Sequence, residues 1–240
     1  MLLVPWLVGL LLAHRADVVD AGRVLLGPAW LVGYLAFNAA TLMTKAAPVR
    51  RAGYRRPLVS HGVAAVALGL ATVILGGLEI LGWAIPGAVL VGVALLLTRL
   101  KRERSVVTGM VSVIAGTGVG VVTRFWSPAD LVDATSTELA VLGLTVAYFA
   151  GTVLTVKTMI RERGHRGWIA ASVGYHVVVL AVAATAVVWG WVGWPWAVLA
   201  GLLLVRAGAE PLLGTRMTVL QIGLVEVVLS VLVLLAALFG

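Results

Sequence analysis

The chain has 240 residues, 61% of them hydrophobic and only 12% charged, with a formal net charge of +8. So little polar sequence cannot cover a soluble domain of this length, and the absence of cysteine excludes a disulfide framework, a thiolate metal site and a cysteine nucleophile. The positive charge sits beside long apolar runs, where membrane orientation and anionic lipid account for it, so nucleic acid is not an expected partner.

A helix crosses the hydrocarbon core with about 20 apolar residues, and these runs do not alternate with polar residues as barrel strands do. The pattern predicts an all-α, polytopic membrane helical bundle of about nine transmembrane helices. In chain order the spans read 1–13, 24–44, 60–81, 86–98, 106–123, 137–157, 167–189, 194–205 and 217–239. The first has no basic start and no small-residue cleavage site before His14, so it reads as a span expected to lack its first turn or two rather than as a signal peptide. The short runs 86–98 and 194–205 are expected to borrow residues from their loops. The stretches 82–86 (Gly-Trp-Ala-Ile-Pro) and 190–195 (Gly-Trp-Val-Gly-Trp-Pro) are rich in turn formers and read as tight hairpins. On the fifth span, Ser112, Gly116 and Gly120 make a small-residue ridge suited to close helix approach. Residues 1–240 read as a single integral membrane domain.

Charge is sorted between alternate loops. One set holds fifteen cations: Lys45, Arg50, Arg51, Arg55 and Arg56; Arg99, Lys101, Arg102 and Arg104; Lys157, Arg161, Arg163 and Arg166; Arg206 and Arg216. The other holds Arg15, Arg23 and Arg124, with Asp17, Asp20, Asp130, Asp133 and Glu138. Positive loops stay in the cytoplasm, which predicts a multi-pass protein of a bacterial inner membrane with its N-terminus cytoplasmic and its C-terminus external. Six tryptophans, at 83, 126, 189, 191, 194 and 196, then fall near the outer face, where an aromatic belt belongs.

Two of the basic loops stand apart. The first runs from Asn38 through Arg55, Arg56, Pro57 and Leu58 to His61; the second carries Lys157, Arg161, Glu162 and Arg163. Each follows a Tyr-x-Ala helix (Tyr34, Tyr148) and leads into a helix with a histidine, His61 or His176. This is a weak internal repeat, 24–81 against 137–189, and parallel repeats in a membrane place binding sites between the halves. Arg and Lys at a helix end can hold phosphate oxygens. Asn38, Arg55, Arg56, His61, Lys157, Arg161 and Arg163 are therefore candidate anion or ligand contacts, against the plainer reading of topology signals and lipid attraction. Within the membrane, His176 and Glu226 are the ionisable candidates, because charge there is costly; the plainer reading is a buried polar pair that fixes helix contacts. Gln221 precedes Glu226 by about a turn and a half. Paired carboxylates at metal-ligand spacing, zinc-binding histidine patterns, a Walker loop and a nucleophile elbow are all missing. No metal or cofactor is expected, and enzymatic activity is not the default.

Two marks carry a resemblance: residues 1–9, Met-Leu-Leu-Val-Pro-Trp-Leu-Val-Gly, and residues 151–163, Gly-Thr-Val-Leu-Thr-Val-Lys-Thr-Met-Ile-Arg-Glu-Arg. In them the chain resembles the YwiC-like family of bacterial membrane proteins over nearly its whole length. More distantly, the layout resembles the UbiA-type intramembrane prenyltransferases, which have nine helices and acidic motifs in the same two loops. Asn38 and Arg56-Pro57-Leu58 fit that pattern, but Ala39 and Leu42 stand at its acidic positions, and the second loop offers only Glu162. The resemblance implies UbiA-like architecture with a cytoplasm-facing cavity that binds or handles a lipid or isoprenoid ligand without Mg²⁺-dependent prenyl transfer. A divergent prenyltransferase-like enzyme and a small-molecule or proton-coupled transporter using Glu226 remain open.

Overall fold

The computed structural model describes residues 2–100, 105–160, 162, 164–213 and 218–240. Every regular element among these residues is helical: α1 (Val4–Arg15), α2 (Ala21–Lys45), α3 (Arg51–Gly76), α4 (Ala84–Arg99), α5 (Val106–Arg124), α6 (Ser136–Ile160), α7 (Arg166–Val188), α8 (Trp194–Leu213) and α9 (Val219–Phe239). In hydrocarbon the backbone must satisfy its own polar groups, which a helix does along its whole length. Among the described residues, seven candidate spans are long and apolar enough to cross a membrane, while the apolar stretches Val4–Arg15 and Trp194–Ala209 are shorter. The chain is a multi-pass helical membrane protein; the expected count of nine crossings rests on those two shorter helices also spanning.

Three boundaries differ from the sequence reading by five residues or more, each for a local reason. α3 starts at Arg51, nine residues before the expected position, and runs through Pro57, so Arg55 and Arg56 are helical rather than in a loop. It ends at Gly76, because Gly77 adopts φ +99° and leads into a 3-10 turn over Leu78–Trp83. The stretch 82–86 is thus the end of that turn and the start of α4 rather than a hairpin. α8 continues past residue 205 to Leu213, which places Arg206 inside a helix. Elsewhere side chains mark the helix starts. Asp20 caps α2 by accepting from the Arg23 backbone N–H at 2.8 Å. Thr218 and Gln221 form a capping box at α9, which gives Gln221 a structural task.

The chain divides into two compact units, one of residues 2–104 and 118–132, the other of residues 105–117 and 133–240. The sequence repeat segments 24–81 and 137–189 fall one in each. In the first unit α2 packs along α3, and glycine makes the close approaches. A Cβ on Gly22 would stand 2.5 Å from the Gly76 Cα, and one on Gly9 would overlap the Gly120 backbone. Of the small-residue ridge, Gly120 thus serves contact, whereas nothing lies within 4 Å of a Cβ at Gly116. A polar knot closes one end of this unit. Arg23 pairs with Asp20, donates through Nε to the Thr123 carbonyl at 3.1 Å, and lies over the Trp126 ring. Trp6 and Trp83 donate their indole N–H groups to the carbonyls of Arg23 and Phe125. By contrast, no part of the most apolar window of Leu78–Leu97 is buried. In water such a helix would be untenable, but lipid tails solvate it without penalty.

The second unit is better packed. Val141, Leu144 and Tyr148 of α6, Val179 and Ala183 of α7, Trp196, Leu199 and Leu203 of α8, and Ile222, Val233 and Ala236 of α9 are all buried. Glycine again sets an approach, since a Cβ on Gly109 of α5 would meet Val153 of α6 at 2.5 Å. The glycine contacts give a test. Gly22→Val should destabilise the protein by about 1–3 kcal/mol through overpacking. Gly33→Ala, where nothing lies within 4 Å of the added Cβ, should be neutral or stabilise by up to about 1 kcal/mol. Chemical unfolding in mild detergent reads both, and equal effects would show that α2 and α3 do not meet through Gly22.

Candidate functional site

The second unit buries a polar cluster between four helices. Glu226 and Ser230 lie one turn apart on α9, Tyr148 and Thr152 one turn apart on α6, and Ser172 and His176 one turn apart on α7. Arg206 comes from α8 and forms an ion pair with Glu226, the two side chains being 9% and 4% exposed. Arg206 takes Glu226 Oε1. Oε2 accepts from the Tyr148 hydroxyl at 3.3 Å and from Thr152 Oγ1 at 3.2 Å. Ser230 donates to the Glu226 backbone carbonyl at 2.7 Å and sits 3.1 Å from the Tyr148 hydroxyl. Both carboxylate oxygens are therefore occupied, and α6, α8 and α9 are tied at one point.

His176 stands beside this knot, within electrostatic reach of both Arg206 and Glu226. Its Nδ1 is 2.7 Å from the Ser172 carbonyl. A carbonyl only accepts, so Nδ1 carries hydrogen and, in the neutral ring, Nε2 is left as an acceptor. Nε2 faces Gly151, where a Cβ would come within 2.8 Å; glycine there lets α7 press its histidine against α6. Among the described residues, the buried Ser172 hydroxyl has no hydrogen-bond partner. Tyr175, the neighbour of His176, donates to the Ala147 carbonyl at 2.9 Å.

Beyond that tyrosine, α6 and α7 part to form an apolar groove of about 730 Å³. Gly143 and Ala147 line it from α6, Tyr175, Val178 and Val182 from α7, with Trp189 and Trp191 at the far end. The two indoles meet edge to face, their centroids 4.5 Å apart. Small side chains on α6 leave the space, and the groove lies in the half of the unit away from Lys157.

The other candidates are placed as follows. Asn38, Arg55 and Arg56 are exposed on α2 and α3. His61 is half-buried on α3, its Nδ1 buried and without a hydrogen-bond partner among the described residues. Lys157 lies 3.8 Å over the Trp168 ring and 3.9 Å from Glu162. Arg161 and Arg163 lie outside the described residues. Asn38, Arg55, Arg56 and His61 belong to the first unit and Lys157 to the second, so their joint anion site stays an expectation. One sequence reading is corrected: Arg206 is no loop cation but the buried partner of Glu226. Sequence reasoning also missed Tyr148 and Thr152 as members of the cluster. The signal was present, because Thr145, Tyr148, Thr152 and Thr155 recur at helical spacing on α6.

Breaking a buried pair strands a charge, which typically costs about 3–5 kcal/mol. Glu226→Leu should show that loss on unfolding in detergent, whereas the double variant Arg206→Met, Glu226→Leu should lose less than Glu226→Leu alone. Tyr148→Phe should cost only about 1 kcal/mol or less, as single hydrogen bonds in membranes do. Additive losses from the two charge substitutions would contradict the pairing.

The sequence model of a family described as YwiC-like protein matches residues 1–124. That range contains the first sequence mark, residues 1–9, and not the second. No curated protein and no solved structure matches the chain, and the resemblance to intramembrane prenyltransferases finds no support in these comparisons.

Proposed function

The chain belongs to the YwiC-like family, and from that premise and the groove in its second unit we propose that it binds or handles a lipid or isoprenoid molecule in a bacterial inner membrane. The carrying observation is the groove itself: about 730 Å³, walled by aliphatic side chains and ended by two tryptophans. Ligand pockets span about 300–1,000 Å³, so one hydrocarbon chain fits. The plain rival is that ordinary bilayer lipid fills the groove without selection. Orientation follows from charge: the basic loops lie in the cytoplasm, which puts Trp189 and Trp191 at the outer interface and the groove in the outer half of the membrane. The transporter alternative draws on Glu226. The partners already holding both its oxygens favour helix clamping over proton exchange.

Filling the groove tests the reading. Gly143 is exposed and has no atom within 4 Å of an added Cβ, so Gly143→Leu should fold normally. It should reduce the lipid retained through purification in mild detergent at least fivefold, measured by mass spectrometry per mole of protein. Unchanged retention and an unchanged lipid profile would leave only unselective bilayer lipid.

Orientation has its own check, aided by a chain that has no native cysteine. In intact cells a membrane-impermeant thiol reagent should label Ala129→Cys and spare Arg51→Cys and Arg166→Cys. The reverse pattern would invert the topology.

A further inference from the structure

We infer that Tyr175 is the floor of the groove between α6 and α7, and that it fits the groove to a chain about as long as one leaflet is deep: an ordinary membrane acyl chain rather than a long polyprenyl chain. This deepens the proposed function and rests on its premise that the groove holds a lipid chain. The lining runs along α6 from Leu139 to Ala147 and along α7 from Trp189 back to Tyr175. Ala147 and Tyr175 therefore mark one end of it. There the Tyr175 hydroxyl donates to the Ala147 carbonyl at 2.9 Å, so the phenol reaches from α7 to α6. Gly151 lies one turn further along α6. A Cβ on Gly151 would come within 2.8 Å of His176 Nε2 and 3.2 Å of Tyr175 Cε1. The two helices touch at that level, and the ring stands where the groove stops.

Tyr175 and Trp189 stand roughly 21 Å apart along the helix axis. One leaflet's share of the hydrocarbon core is about 15 Å, and a tryptophan belt lies at its interface. A chain that enters beside Trp189 thus meets Tyr175 close to the bilayer midplane. Each carbon up to that point gains dispersion contacts with the walls at Gly143, Val178 and Val182. Carbons beyond it must turn out into the bilayer and gain no contact with the groove. The floor is braced on two sides. Its hydroxyl is tied to α6, and its ring meets His176 edge to face, the centroids 5.5 Å apart.

Native mass spectrometry of the full chain in detergent tests the inference, with phosphatidylcholines whose two chains are both of 12, 16, 20 or 24 carbons. Adducts are read as the excess over Gly143→Leu, which fills the groove, and circular dichroism checks that every variant keeps its helices. For the unaltered chain the excess should rise at least threefold from 12 to 16 carbons and stay within twofold from 20 to 24. Tyr175→Ala removes the floor and should raise the 20-to-16 ratio at least threefold over the unaltered chain. Tyr175→Phe keeps the ring and should keep the unaltered profile. Ala147→Leu raises the floor without opening a cavity and should lower the 16-to-12 ratio at least threefold. If neither Tyr175→Ala nor Ala147→Leu shifts the profile, the floor is overturned and the lipid-groove reading stands. If Gly143→Leu keeps as much of every lipid as the unaltered chain, the groove reading fails, and the inference with it.

Discussion

A guanidinium buried among apolar helices has one acceptable arrangement, which is to be paired and fully hydrogen-bonded. Arg206 meets that demand through Glu226, and Glu226 meets its own through Arg206, Tyr148 and Thr152. The pairing fixes α8 and α9 to each other and both to α6. Of the hydroxyls on that face of α6, Tyr148 and Thr152 serve the pair, while Thr145 turns back to the Val141 carbonyl of its own helix. α7 meets α6 at Gly151; towards the N-terminal end of α6 the two helices part, and the groove is the space that Gly143 and Ala147 leave.

The first unit is held by other means. Glycines let α1 meet α5 and α2 meet α3 at backbone distance, which is how apolar helices gain contact where no hydrophobic force drives them together. Arg23 is its buried cation among the described residues, and it too is surrounded: by Asp20, the Thr123 carbonyl and the Trp126 face. The YwiC-like match covers this unit's helices, whereas the groove and the ion pair lie in the other.

Much of this was legible in the amino-acid order. Apolar run length marks helices because hydrocarbon permits little else, and most spans read from sequence end within a few residues of the observed helices. Glu226 and His176 stood out because ionisable groups inside apolar runs are expensive. What sequence could not supply was partnership. Arg206 sits near the end of a short apolar run, and there a cation that snorkels to a loop and one that turns inward look alike. Only its meeting with Glu226, twenty residues on, decides between them. The start of α3 was hidden for a different reason: Pro57 reads as a breaker, yet the helix passes through it. The groove was invisible because it is made of what is missing, the side-chain volume absent at Gly143 and Ala147.

The central claim is that a selected lipid occupies that space. A structure determined in nanodiscs cut directly from the native membrane tests it most plainly. The account predicts continuous density for one hydrocarbon chain along Gly143, Val178 and Val182, ending in a headgroup beside Trp189 and Trp191. A groove closed by a helix of another protein, or bare of density while annular lipid is resolved elsewhere on the bundle, would contradict it.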